Sequence, residues 1–167
     1  MPASPKRQLI EELVTAFRAS GNQDSAFENL AADRLGVNHT DLHCLNAIEN
    51  AGGLTAGELA AAAGLTSGAV TGVIDRLERA GFARRVPDPD DRRRVKVEVT
   101  PEFYARAERI WAPLAAEWEA SLASRFTAAE LTRITEFLRL TNEVGKRHLD
   151  RLAKGSSGPE PGASPHG

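Results

Sequence analysis

Residues 54 to 100 constrain this chain most. They read LTAGELAAAAGLTSGAVTGVIDRLERAGFARRVPDPDDRRRVKVEVT. Thr55-Ala56-Gly57-Glu58 is a capping box, in which a hydroxyl and a carboxylate three apart satisfy open amides at a helix start. The short alanine-rich helix behind it closes at Gly64. Thr66 or Ser67 caps a second helix, which runs to Ala80 with Val70, Val73, Ile74 and Leu77 facing inward, and Gly81 stands just past its end. Only a few residues connect the two helices. Residues 82 to 86 then read as a strand, and prolines and acids break it into a loop. Val95, Val97 and Val99 alternate with Lys96 and Glu98 as a half-buried strand. That order spells a helix-turn-helix followed by a β-hairpin wing.

The flanks are helical. Leu9, Ile10, Leu13, Val14 and Phe17 form a stripe at spacings of three and four. Gly21-Asn22 loosens the pattern, which resumes through Phe27, Leu30 and Leu35 and ends at Gly36. Asn38 or Thr40 caps the next helix, through Leu42, Leu45 and Ile48. After the wing, Thr100-Pro101 opens a long helix carrying Phe103, Ile110, Trp111, Leu114, Trp118 and Leu122. Pro113 falls inside it and predicts a kink near residues 109 to 113. A second capping box, Thr127 to Glu130, starts a final helix through Leu131, Ile134, Leu138, Val144, Leu149 and Leu152. The fold class is therefore mainly α (α+β), a winged helix-turn-helix with long terminal helices. Those helices carry more apolar surface than a small winged lobe can bury, so the chain is expected to pair as a homodimer. Residues 1–36 and 101–153 are the expected helical dimerisation region and 37–100 the DNA-binding region. The Gly-, Ser- and Pro-rich 154–167 is expected to be a disordered tail.

Net charge is only −2 over 167 residues, but it is unevenly placed. Between Asp75 and Lys96, eight basic residues face five acidic ones, a local +3 that leaves −5 elsewhere. A basic patch on an acidic body steers a polyanion to one face. One cysteine, Cys44, excludes an intramolecular disulfide framework. No apolar run is long enough to span a membrane and no secretory signal is apparent, so a cytoplasmic location is expected.

Double-stranded DNA is the partner this frame implies. The second helix of a helix-turn-helix enters the major groove by its N-terminal residues. Here these are Thr66, Ser67, Gly68, Ala69, Thr71 and Gly72, with Arg76 further along. Hydroxyls serve phosphates or bases, and small apolar groups meet thymine methyls. Arg92, Arg93 and Arg94 stand at the wing tip, where an arginine can enter an adjacent minor groove. Asp91, two residues before Arg93, reads as the acid that holds the Arg93 guanidinium in place.

The wing sequence Asp88-Pro89-Asp90-Asp91-Arg92-Arg93-Arg94, leading to Val99-Thr100, resembles the signature of the MarR family of bacterial transcriptional regulators. The run LTSGAVTGVIDRLERAGF is similar as well. With the flanking helices, the resemblance covers about residues 6 to 152. It implies a helical dimerisation domain built from both termini, two winged lobes on one face, and pseudo-palindromic operators. Its members are usually repressors, often released by small ligands or oxidation. Asp91 and Arg93 match the family's wing pair, and Ser67, Thr71 and Arg76 match its reading helix. Gly72 departs, standing where many relatives place a larger, often basic, residue. The resemblance also places a ligand pocket among the first helix, the second helix and the start of the long helix after the wing. Phe17, Phe27, His39, His43, Trp111 and Trp118 are its candidate lining, suited to a small aromatic or phenolic effector. Core or dimer-seam packing is the competing role for each.

Rival readings remain at this level. A winged helix can serve as a protein-interaction module alone. His39 and His43 share a helical face at metal-ligand spacing, but a third ligand is missing nearby unless Cys44, Asp41 or a distant residue supplies it. Cys44 as a thiol sensor requires access and a lowered pKa, whereas Leu42 and Leu45 flank it in a core pattern. The residues call for no metal and no cofactor. No phosphate-cradling glycine loop, nucleophile elbow or HExxH is present, and no enzymatic activity is expected.

Overall fold

Helix caps written into the sequence set the element boundaries. The computed structural model describes residues 4–89 and 91–155, with side chains described through Leu152. Its helices are α1 (Pro5–Leu35), α2 (His39–Ala51), α3 (Ala56–Ala63), α4 (Ser67–Arg79), α5 (Pro101–Arg125) and α6 (Ala128–Gly155). Three strands interleave with them: β1 (Leu54–Thr55), β2 (Ala83–Pro87) and β3 (Val95–Val99). Asn38 caps α2 by accepting the Asp41 amide at 2.8 Å. Thr66 does the same for α4 through Ala69. The capping boxes at Thr55/Glu58 and Thr127/Glu130 are both formed. Each side-chain cap satisfies amides that a helix start leaves open.

The sheet order is β1-β3-β2, antiparallel throughout. Val97 of the central strand lies opposite Leu54 on one side and Arg85 on the other. β1 is a strand that periodicity did not reveal, because two residues carry no alternation. It exists because Gly53 allows the chain to turn hard against β3. Gly53 has φ +116°, and a Cβ there would stand 3.5 Å from the Val97 carbonyl oxygen. Both facts favour glycine.

The core sits between the helix-turn-helix and its flanks. Leu42, Leu45 and Ile48 of α2 meet Leu59 of α3 and Val70, Ile74 and Leu77 of α4, all essentially buried. The Phe82 and Phe103 rings meet edge-on at 5.9 Å. Burying each such side chain contributes about 1.5–3 kcal/mol. Ala31, Ala32 and Leu35 from the end of α1 join this core, as does Phe103 from the start of α5. The lobe's core therefore reaches beyond residues 37–100 at both ends.

Two boundaries differ from expectation. α1 is one helix through Gly21 and Asn22, since its single glycine costs only about 1 kcal/mol within 31 residues of helix. α5 carries Pro113 inside it, as the sequence reading placed it. α6 runs to Gly155, and the rest of the expected tail lies outside the described residues.

Candidate nucleic-acid interface

The turn from α3 to α4 is made by Gly64, Leu65 and Thr66, with Gly64 at φ +65°. It delivers the N-terminal turn of α4 to the surface. Thr66, Ser67, Gly68, Ala69 and Thr71 are all exposed, and Gly72 is half-buried. Two hydroxyls are partly committed. Thr66 Oγ1 accepts from the Ala69 amide, and Thr71 Oγ1 donates to the Ser67 carbonyl at 3.0 Å. Ser67 keeps a free hydroxyl among the described residues. Thr71 offers lone pairs and a methyl outward. A Cβ at Gly68 would meet open space, so packing does not require glycine there.

Arg76 is not the free cation that its position suggested. Its Nε and Nη2 donate to Asp41 Oδ2 and Oδ1 at 3.1 and 2.6 Å. Asp41 is buried on α2, while the Arg76 side chain is 42% exposed. The bond to Asp41 holds the guanidinium above its ordinary pKa, so it is always charged.

The wing is braced by ion pairs from base to tip. Arg84 pairs with Glu98 across the strands at 3.1 Å. Arg85 reaches back to Asp75 at 2.8 Å and to Glu78, tying β2 to α4. Buried Asp88 takes Lys96 at 3.3 Å, and the Asp88 amide donates to the Arg94 carbonyl to close the loop. Arg94 Nη2 reaches Glu58 Oε1 at 2.8 Å, so this residue of the expected tip set is anchored to the α3 cap. Its bonds to the Thr55 amide, the Thr55 hydroxyl and Arg94 hold Glu58 below the usual carboxylate range.

Asp91 orients the wing differently from expectation. Its Oδ1 accepts the main-chain amide of Arg93 at 3.1 Å, and its carbonyl accepts the Arg94 amide. It fixes the backbone on which Arg93 stands, because a carboxylate two residues upstream reaches the amide by a local turn. Among the described residues, the Arg92 and Arg93 guanidiniums have no carboxylate partner, and both are exposed. Of the cations in this region, only these two and Arg79 remain unpaired among the described residues. The pairing, not the count, locates the surplus charge.

Residues 37–95 match the family model described as MarR family. An HTH-type transcriptional regulator of Bacillus subtilis, YcgE, is 35% identical over 147 residues, covering 88% of this chain and 95% of its own. The chain belongs to the MarR family. A MarR family protein from Bacillus stearothermophilus has the same fold, with a TM-score of 0.65 at 20% identity over 86% of this chain and 99% of that one. A Staphylococcus aureus MepR mutant, solved bound to an oligodeoxyribonucleotide, aligns with a TM-score of 0.52 at 21% identity over 79% and 96% of the two chains. No described helix is long and apolar enough to cross a membrane alone.

Within this MarR-family chain the expected effector residues scatter. A cavity of about 350 Å³ opens between α2 and the start of α5, lined by Asn46, Glu49, Phe103, Tyr104, Glu108 and Trp111 among others. Of the candidates, only Trp111 lines it. Phe27 packs edge-on against Trp111 at 5.9 Å. His39 and His43 are exposed, with His39 lying 3.8 Å from Glu28. Phe17 and Trp118 are exposed as well. The helical spacing of aromatics marked apolar faces but could not say which faces meet. Among the described residues no three metal-ligating groups cluster. Cys44 is fully buried, and burial together with Asp41 pushes its thiol pKa up. That is the reverse of an activated thiol.

Proposed function

We propose that this regulator binds an inverted-repeat operator as a homodimer and acts as a repressor in the cytoplasm. The N-terminal turn of each α4 enters a major groove, and Arg92 and Arg93 reach the flanking minor groove. The observation that carries this reading is the division of charge on the lobe. Every other cation of the wing is neutralised by a carboxylate, while two guanidiniums at the tip stand exposed on a backbone pinned by Asp91. A polyanion is the partner that such an arrangement leaves room for. The likeness to YcgE, an HTH-type transcriptional regulator, and to a MepR mutant solved on an oligodeoxyribonucleotide supports it.

Two-fold pairing requires a pseudo-palindrome with half-sites about one helical turn apart. Selection from random DNA fragments with the purified protein tests this. Enrichment of an inverted repeat is expected, with affinity falling steeply as salt rises. Recovery of no common sequence at physiological salt would overturn it, and would favour a protein-interaction role for the lobe.

The α2–α5 cavity is the effector site we assign. Its aromatic walls suit a flat ring, while Glu49 and Glu108 on its lining disfavour an anionic head. A neutral phenolic ligand fits better than an aromatic acid. Titrating neutral phenols against the operator complex, with a Trp111→Ala control, tests this. Release by wild type but not by the variant is expected.

A further inference from the structure

Gly72 leaves a gap on the reading helix, and the Arg76 guanidinium borders it. A helical side chain leans toward the N-terminus and covers the turn before its own Cα. Arg76 lies four residues after Gly72 on the same row. Its Nη1 sits 3.6 Å from where a Gly72 Cβ would stand. The guanidinium therefore occupies the space that a larger residue at position 72 would fill.

Asp41 determines how the guanidinium lies. It takes the side edge, Nε and Nη2. An arginine has five N–H donors, so this leaves both hydrogens of Nη1 and one of Nη2. That end edge is a second fork, of the shape that meets paired acceptors such as guanine O6 and N7, or two phosphate oxygens. The Asp41 end of the pair is buried and the Arg76 end is half-exposed. A brace serving only to hold α2 to α4 has no need of an open outer edge, and well-packed apolar residues serve such a purpose equally well.

We propose that Asp41 is a positioning residue for DNA recognition, seating the Arg76 guanidinium over Gly72 so that its end edge faces the DNA from the space a side chain at position 72 would otherwise take. This rests on the DNA-binding reading above. Without Asp41, a long flexible side chain would have to be ordered at the moment of binding. With it, the fork is fixed in advance.

The test is a set of binding titrations and fragment selections with the full chain. The probe is the DNA that the wild-type protein enriches from a random pool. Arg76→Ala should weaken binding about 5- to 150-fold. Asp41→Asn keeps the shape but breaks one bond of the fork, and should weaken binding in the same direction. In an Arg76→Ala background, Asp41→Asn should add nothing. If the fork reads guanine, both variants relax preference at the same base-pair position. If it grips phosphate, both lower affinity evenly across sequences and flatten the salt dependence. Additive losses, or wild-type binding by Asp41→Asn, overturn the proposal.

Gly72→Leu provides a check that leaves Asp41 in place, should Asp41→Asn fold poorly. It should displace the guanidinium and weaken binding in the wild-type background, with no further loss when Arg76 is alanine. A loss that persists in the Arg76→Ala background overturns the proposal. Failure of the wild-type protein to enrich any sequence instead sinks the DNA-binding reading itself.

Discussion

The winged lobe and the terminal helices use similar amounts of apolar sequence to opposite ends. In the lobe, Leu45, Ile48, Leu59 and Leu77 are wholly buried within one chain. Along α6, not one described residue is buried. The first half of α1 exposes Leu9, Ile10, Leu13, Val14 and Phe17 on a single stripe. The lobe thus closes its own core, while the helices hold their apolar faces open. Contiguous open faces of this kind belong to interfaces. The difference separates apolar surface that the chain buries by itself from apolar surface that it leaves exposed.

The comparison breaks most sharply at Leu13. Leu13→Glu places a charge in the middle of the α1 stripe. If a second chain covers that stripe, the desolvation penalty is several kcal/mol per buried charge. Sedimentation should then find a monomer where the wild type is a dimer. An unchanged dimer would remove α1 from the interface. The lobe's counterpart is Phe82→Ala, which empties the ring contact with Phe103 and should cost about 3–5 kcal/mol. Denaturant unfolding checks this. The two variants should differ in kind, the first losing assembly and the second losing the lobe.

The same contrast recurs among the wing arginines. The Arg93 guanidinium has no carboxylate partner among the described residues, and Arg94 is tied to Glu58. Arg93→Ala should weaken operator binding by about 1–3 kcal/mol in an anisotropy titration. Arg94→Ala should cost less binding, because its guanidinium is already engaged. Equal losses would mean that the Glu58 pair opens on DNA and that bracing does not separate the two.

Local signals were legible in the sequence and distant ones were not. Both capping boxes, the Thr66 cap and the wing loop follow from residues two to four apart, where geometry is dictated by the element itself. The Asp41–Arg76 fork spans 35 positions and the Glu58–Arg94 bond spans 36. No periodicity connects such pairs. A count of charges therefore gave a local surplus of +3, and only the pairing showed which cations are spent. The Asp91 carboxylate was legible as an organiser of the wing, but its target was the Arg93 amide. For the effector site, aromatic residues on different helices could be grouped only once the cavity beside Trp111 was known.

The smallest effect compares the two capping boxes, one in the lobe and one opening α6. Glu58 and Glu130 both lie below their ordinary value of 4.5, each chiefly through the backbone amide of its cap threonine. A carboxylate whose folded pKa is lowered adds stability above its unfolded pKa, and that contribution is lost as pH falls through the folded pKa. Glu58→Gln and Glu130→Gln should therefore each be less stable than wild type near neutral pH. The gap should close in acid, below the ordinary carboxylate value, and thermal melts across that range measure it. The boxes differ in one partner. Glu58 also holds Arg94 across 36 positions, whereas Glu130 is held within its own helix start. Added salt should therefore shrink the Glu58→Gln gap more than the Glu130→Gln gap, since a solvent-exposed ion pair is screened while a backbone cap is not. Equal salt sensitivity would show that the Arg94 brace contributes nothing measurable in solution, leaving the wing held by its backbone and its other ion pairs.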